Sequence, residues 1–187
     1  MPGKPRFKPP TADRLNRSAL HYLERYSSSA ANLRKVLERK VLKACNHLDL
    51  NPADYVGMID AAVESFVRNG LVDDKAYAET KVSGLRRRGG SKRKIEAHLS
   101  AKGVDRDIIA SVLGDDDHSE EETGHIFARR RRLGPYRTGA DRTARRDKDL
   151  AAMCRAGFAF ETARKVIDAE QPADRPETGD PDRDPEV

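Results

Sequence analysis

The same spacing of apolar residues and glycine occurs twice in this sequence, 54 residues apart. An apolar residue is followed four positions later by glycine, and an apolar pair comes nine positions after that glycine. The pattern stands at Leu99, Gly103 and Val112–Leu113, and again at Met153, Gly157 and Val166–Ile167. Leu33 and Leu37 occupy the corresponding place earlier in the chain, where a longer connection follows. Such a period predicts consecutive structural units, each packing mainly against its neighbours.

Each unit is predicted to contain three helices. Apolar residues recur at helical spacing in nine segments, and none shows the alternation typical of a strand. Residues favoured at helix N-caps begin most segments, and glycines end several of them. The caps are the serine cluster 27–29, Asn51 (followed by Pro52 at a third-helix start), Asp73, Ser91, Asp105 and Ser119 (with Glu122 as a capping box), and the ends are Gly70, Gly103, Gly134–Pro135 and Gly157.

We therefore expect an all-α fold, a tandem of three three-helix repeats that forms an elongated, curved body. The units are predicted at residues 11–70, 71–117 and 118–170, with the eighth helix covering roughly residues 140–156. Charged residues make up 36% of the chain and aromatic residues only 5%. Several small cores are therefore favoured over a single large one.

The two ends differ from the body in composition. Eight of the ten prolines lie in residues 1–10 and 171–187. The first segment carries three cations and no acid, and the second carries six acids and two arginines. Segments so poor in apolar residues cannot offset their ordering entropy by burial. We predict a disordered basic N-terminal tail at residues 1–10 and a disordered acidic C-terminal tail at residues 171–187.

The sequence indicates a cytoplasmic protein. It contains no apolar run of 18 residues, and its N-terminus lacks the apolar stretch of a signal peptide. Cys45 and Cys154 lie far apart among helix-forming residues, which favours reduced cysteines used for packing. We expect a monomer without membrane contact.

Positive charge concentrates at equivalent helix junctions of the second and third units. Flanking acids do not cancel these charges locally in the sequence. A charge run is usually a solvated helix face, but recurrence at equivalent junctions favours a surface that binds a polyanion or an acidic partner. The predicted contact residues are Arg86, Arg87, Arg88, Lys92, Arg93, Lys94, Arg129, Arg130, Arg131, Arg132, Arg137, Arg145 and Arg146.

Three short motifs have a catalytic or ligand-binding interpretation that we weigh against a simpler one. Residues 89–92 (Gly-Gly-Ser-Lys) partly match a phosphate-binding loop, but that loop follows a strand, so a hairpin turn with a serine cap is favoured. Glu122 and His125 have the spacing of metal sites in helical bundles, which need a second such pair that the sequence lacks. Cys45 and His47 also have no companions at ligand spacing. We predict no catalytic residue, no metal and no cofactor.

Residues 70–78 resemble the signature of the RecX family, the bacterial regulators of the RecA recombinase. Gly70-Leu71-Val72-Asp73-Asp74, with Tyr77-Ala78, is similar to the family pattern G-L-[LIV]-[DN]-D-x-x-[FY]-A. The arginine-rich stretch that follows and Lys102-Gly103-Val104 continue the likeness. Residues 129–135, 148–150 and 155–158 resemble the last unit of family members. The likeness covers roughly residues 11–170 and is weakest at residues 43–50.

This resemblance implies a tandem of three-helix repeats lodged in the helical groove of the RecA–DNA filament. Such a protein would modulate, and mainly inhibit, ATP hydrolysis, filament extension and strand exchange, with non-specific contacts to the DNA backbone as a further expectation. One alternative is a stand-alone, sequence-independent DNA-binding architectural protein, whose binding would be sensitive to salt. Another is an enzyme that uses Glu122 and His125 with a metal.

Overall fold

The computed structural model describes residues 7–138 and 141–170 of the chain. Over these residues the predicted all-α fold is confirmed, with nine α-helices, two short 3-10 turns and no strand. None of the described helices is long and apolar enough to span a membrane. The helices are α1 (Ala12–Leu23), α2 (Ala30–Leu48), α3 (Val56–Arg68), α4 (Asp74–Arg87), α5 (Lys92–Ala101), α6 (Arg106–Gly114), α7 (Glu120–Arg131), α8 (Arg142–Arg155) and α9 (Phe160–Asp168).

The predicted tails fall mostly outside the described residues, at positions 1–6 and 171–187. Residues 7–10 are described, and Phe7 packs beside the C-terminal end of α2. The ring of Phe7 stacks on the His47 ring, with 3.8 Å between the ring centroids. The prediction of disorder is therefore wrong for residues 7–10.

Polar side chains cap several of the helices, as the sequence predicts. The Ser91 hydroxyl accepts a hydrogen bond from the Lys94 amide at 3.3 Å, and Ser119 with Glu122 forms the predicted capping box. Each bond satisfies a backbone donor that would otherwise have no partner, which contributes roughly 1 kcal/mol per cap. Equivalent side-chain caps stand at Ser29, Asp73 and Asp105.

Two predicted boundaries are wrong. Asn51 and Pro52 begin a 3-10 turn over Pro52–Tyr55, and α3 starts only at Val56. Proline provides a fixed φ and lacks a donor, so it suits the first turn of either kind of helix. The seventh helix ends before Gly134, because Arg132 adopts a left-handed conformation with φ of 53°.

The buried side chains form three separate cores. The first core belongs to α1, α2 and α3 with Val72, the second to α4, α5 and α6 with Val104, and the third to α7, α8 and α9 with Leu133 and Phe158. The largest fully buried side chains are spread over all three: Leu33 and Leu37, Ile95 and Leu99, and Met153, Val166 and Ile167. The chain therefore folds as a row of three-helix units rather than around one centre.

Neighbouring units are joined by equivalent hydrogen bonds from cap serines. The Ser29 hydroxyl at the start of α2 donates to the Lys102 carbonyl at the end of α5. The Ser91 hydroxyl at the start of α5 donates to the Ala156 carbonyl at the end of α8, at 2.7 Å. Each serine thus caps its own helix and also satisfies a terminal carbonyl of the next unit.

A second pair of equivalent bonds uses the first backbone amide of the same helices. The Ala30 amide donates to the Asp74 carboxylate at 2.7 Å, and the Lys92 amide donates to the Glu120 carboxylate at 2.8 Å. Both acids lie in the first turn of the following unit's first helix. The joints are therefore polar, directional and repeated, which sets the orientation of each unit relative to its neighbour.

The two glycines of the 54-residue repeat lie in these joints. Gly103 and Gly157 have φ values of 73° and 94°, a conformation that glycine adopts at little cost. A Cβ at Gly103 would lie 2.5 Å from the Ala31 Cβ, and one at Gly157 would lie 2.6 Å from the Ser91 Oγ. The repeated glycine therefore ends a helix and also permits close packing on the preceding unit.

Candidate partner-binding surface

The joint between the second and third units forms an open cleft of about 460 Å³. The turn between α4 and α5 packs directly on the backbone of α7. A Cβ at Gly89 would lie 2.6 Å from the Phe127 nitrogen, and Gly89 has φ of 79°. Only glycine meets both demands. This contact brings the end of α4, the start of α5 and the end of α7 around one opening.

The cleft has apolar inner walls and a positively charged rim, and we call it the cationic cleft. Its inner walls include Ile95, which is buried, and the half-buried side chains of Leu85 and Phe127. The rim consists of four exposed cations that form no ion pair with any described residue: Arg88, Lys94, Arg130 and Arg131. The structure thus brings two predicted contact residues of the second unit, Arg88 and Lys94, together with two of the third, Arg130 and Arg131.

Six further predicted contact residues are exposed but do not line the cleft. Arg129 lies over the ring of Tyr136, with its guanidinium carbon 5.2 Å from the ring centroid. The other five make no ion pair within the described part of the chain: Arg87, Lys92, Arg93, Arg132 and Arg145. Their role in binding stays a prediction.

Arg86 is a correction to the predicted surface. Its side chain is only 2% exposed. Its Nε donates to the Asp116 carboxylate at 2.6 Å, and its guanidinium also donates to Glu120 and to the Gly90 carbonyl. Arg86 therefore ties the α6–α7 connection to α4 and is not available to a partner. The acids that neutralise it come from 30 and 34 residues further along the chain, so the local sequence did not reveal them.

Arg137 and Arg146 also have structural partners. Arg137 donates to the buried carboxylate of Asp149, at 2.5 Å and 3.2 Å, and Arg146 donates to both oxygens of Asp168 at 2.6 Å. These bonds raise the pKa of both arginines above the ordinary value. Both residues join α8 or its preceding turn to the rest of the third unit. Their acids lie 12 and 22 residues further along the chain, so the local sequence did not reveal these ion pairs.

Sequence reasoning missed the uncharged lining of the cationic cleft, which includes His98 and Phe127. Burial lowers the pKa of His98 below its ordinary value, and the charges of Lys102 and Lys81 lower it further. His98 is therefore neutral at neutral pH and leaves the positive charge to the rim. The half-buried ring of Phe127 packs against Phe158, with 5.6 Å between the ring centroids. No local motif marks either residue, because the cleft arises only where two units meet.

The alternative motifs have structural roles. Ser91 is the N-cap of α5, as the hairpin interpretation predicts. Glu122 accepts from the Ser119 amide within the capping box, and His125 bonds to the Tyr136 hydroxyl at 3.0 Å. Among the described residues, no three His, Cys, Asp or Glu side chains are grouped so as to hold a metal ion.

The buried pair of Arg86 and Asp116 predicts a specific loss of stability in acid. Burial alone would raise the pKa of Asp116, but hydrogen bonds from His118 and Arg86, with the Arg86 charge, outweigh it and lower the pKa below 3.8. A carboxyl whose pKa is lower in the folded than in the unfolded chain stabilises the fold when the pH is above its unfolded-state pKa. This contribution is lost as the pH falls through the folded-state pKa. Thermal unfolding at about pH 6 and about pH 3 measures this effect. The decrease in stability from the higher to the lower pH should be smaller for Asp116→Asn than for the wild type.

The matched control for that comparison is Asp117→Asn, which changes an exposed neighbouring acid. Its stability should decrease between the two pH values by the same amount as that of the wild type. An equal pH dependence of all three proteins would show that the Asp116 carboxylate is not held by the buried arginine.

Comparison with known proteins relates the chain to one family. The family model described as "RecX, second three-helix domain" matches residues 73–113, which span α4, α5 and α6. The chain is 42% identical to the "Regulatory protein RecX" of Myxococcus xanthus over 171 residues, covering 90% of each protein. It is 33% identical to that of Agrobacterium fabrum over 150 residues, covering 80% of this chain and 79% of the relative.

A solved structure has the same fold. The structure titled "Crystal structure of regulatory protein RecX" superposes with a TM-score of 0.59, covering 84% of this chain and 72% of the other. Its sequence is 19% identical, so the likeness concerns the arrangement of the helices. The row of three-helix units is therefore shared with a protein whose side chains differ at most positions.

Proposed function

Since the chain belongs to the RecX family, we propose that it binds the RecA–DNA filament and inhibits RecA ATPase, filament extension and strand exchange. Binding takes place through the cationic surface of the second and third units. The chain acts as a monomer in the cytoplasm and has no catalytic residue of its own. Its contribution is the positioning of charge along the filament.

The observation that carries this proposal is the convergence of unpaired cations at a joint between units. Arg88 and Lys94 come from the second unit, and Arg130 and Arg131 come from the third. A filament presents its surface repeatedly along an axis, and a row of units offers an extended surface to match it. Exposed cations of this kind accelerate association with an acidic surface and fix the orientation of binding.

Charge reversal of the cleft rim tests the placement of this surface. The variant carries Arg88→Glu, Lys94→Glu, Arg130→Glu and Arg131→Glu, all at exposed positions without ion pairs in the described part of the chain. We expect its potency as an inhibitor of RecA strand exchange to fall by about tenfold or more, because like charges repel across the interface. The measurement is the concentration of the chain that halves the strand-exchange rate.

The first unit offers a control with the same change in charge. Arg25, Lys35, Lys40 and Arg68 are exposed and form no ion pair with a described residue. Their reversal to glutamate should leave the inhibitory potency within about threefold of the wild type. Unchanged inhibition by the folded cleft variant, or an equal loss in the control, would place the binding surface elsewhere.

The alternative of a stand-alone DNA-binding protein makes a different prediction. A protein that acts through phosphate contacts alone binds naked DNA tightly, and its affinity falls steeply between about 50 mM and 200 mM salt. A titration of duplex and single-stranded DNA without RecA at these concentrations distinguishes the two. Family membership favours the filament, so we expect weak binding to naked DNA.

A further inference from the structure

The cationic cleft contains apolar surface that a phosphate backbone would not use. The half-buried side chains of Leu85 and Phe127 supply this surface beneath the charged rim, above the fully buried Ile95. Arginine and lysine contacts to phosphates need no apolar wall beside them. An apolar wall inside a charged rim is instead the arrangement of a site that receives an apolar group and fixes its orientation by polar contacts.

The size of the cleft limits what can enter. Its volume of about 460 Å³ is in the range of pockets that enclose a small ligand or a few side chains. A nucleic acid duplex is far wider, so only a single strand or an extended peptide segment fits. Single-strand binding sites stack successive bases on several aromatic side chains. Among the described residues that line this cleft, the aromatic rings are those of Phe127 and His98, and Phe127 already packs against Phe158.

The charge on the rim selects the polar part of the occupant. Arg88 and Lys94 reach the cleft from the α4–α5 region, and Arg130 and Arg131 reach it from α7. Guanidinium groups bind carboxylates through two parallel hydrogen bonds. A segment with carboxylates on both sides of an apolar side chain matches both walls of the cleft.

We propose that the cationic cleft binds an acidic protein segment in which an apolar side chain is flanked by carboxylates. The cleft is then the protein-binding part of the surface, and cations outside it, such as Arg87 and Arg93, remain for phosphates. This assignment rests on the proposed function in one respect only, which is that the segment belongs to the filament protein. The chemistry of the site itself follows from the residues that line it.

The test measures fluorescence anisotropy of a labelled peptide added to the full-length chain. The probe is a fluorescein-labelled peptide with one leucine between two pairs of glutamates, and its matched control has serine in place of leucine. A thymidine oligonucleotide with the same number of negative charges is the third probe. The leucine peptide should bind about tenfold more tightly than the serine peptide, because burial of one apolar side chain supplies a difference of that order.

Protein variants locate the binding. Two double variants should each weaken binding of the leucine peptide by about fivefold or more. They are Arg130→Gln with Arg131→Gln, and Arg88→Gln with Lys94→Gln. The control pair is Lys148→Gln with Arg155→Gln, which removes two exposed charges of α8 outside the cleft. The affinity of this control variant for the leucine peptide should stay within about twofold of that of the wild type.

Two results would overturn the inference. Equal affinity for the leucine and serine peptides would mean that the apolar walls are not used. Tighter binding of the oligonucleotide, with displacement of the peptide, would make the cleft a nucleic-acid site. Neither result touches the proposed function, which fails separately if the wild-type chain does not slow RecA strand exchange.

Discussion

Replacement of Arg86 by alanine is expected to lower the free energy of unfolding by about 3–5 kcal/mol, because it leaves a buried carboxylate without its cation. The Asp116 side chain is 4% exposed, so water cannot replace the lost partner. Glu120 and the Gly90 carbonyl lose a donor in the same change. Chemical denaturation followed by circular dichroism measures the effect, and the melting temperature should fall by on the order of 10 °C.

The neighbouring arginine provides the control. Arg87 is exposed and forms no ion pair within the described residues, so Arg87→Ala should change stability by no more than about 0.5 kcal/mol. Arg86→Lys keeps the charge but not the planar set of donors, so its loss of stability should lie between those of Arg86→Ala and Arg87→Ala. If Arg86→Ala proved as mild as Arg87→Ala, the buried ion pair would not exist in solution.

Replacement of Gly89 by alanine is expected to disrupt the joint that forms the cationic cleft. A side chain in the left-handed conformation costs roughly 1–2 kcal/mol, and overpacking against a fixed backbone typically costs about 1–3 kcal/mol more. The clashing atoms are the nitrogen and Cα of Phe127, at 2.6 Å and 2.8 Å. Backbone atoms cannot rotate away, so the α4–α5 turn must move off α7. We expect a loss of about 2–5 kcal/mol in denaturation and weaker inhibition of strand exchange.

Gly70→Ala separates the two contributions. Gly70 also has a left-handed conformation, with φ of 69°, but no atom lies within 4 Å of its Cβ position. It should show only the conformational cost of roughly 1–2 kcal/mol. Equal losses at Gly70 and Gly89 would mean that the second and third units do not pack as closely as described.

Local features of the fold were predictable because short-range interactions determine them. The place of Ser91 before a helical pattern predicts a cap, and the place of Gly157 in the repeat predicts a helix end. Both assignments depend on backbone donors and φ angles within a few residues. The second function of these two residues, their contact across a joint between units, requires the packed structure.

The candidate site was only partly predictable, for a related reason. A signal for the burial of Arg86 did exist, since it follows Ala78 and Val82 at intervals of four along the buried face of α4. Its neutralising acids are distant in sequence, as is the Phe127 that closes the cleft. Charge counting along the chain therefore identified the cationic region but could not separate structural ion pairs from the free rim.

The most direct measurement is the rate of ATP hydrolysis by RecA on single-stranded DNA with increasing amounts of the wild-type chain or the charge-reversed cleft variant. We expect the wild-type chain to reduce the rate, and the variant to leave it close to that of RecA by itself. A rate unaffected by the wild-type chain would contradict regulation of the filament. Equal inhibition by both proteins would contradict its placement at the cationic cleft.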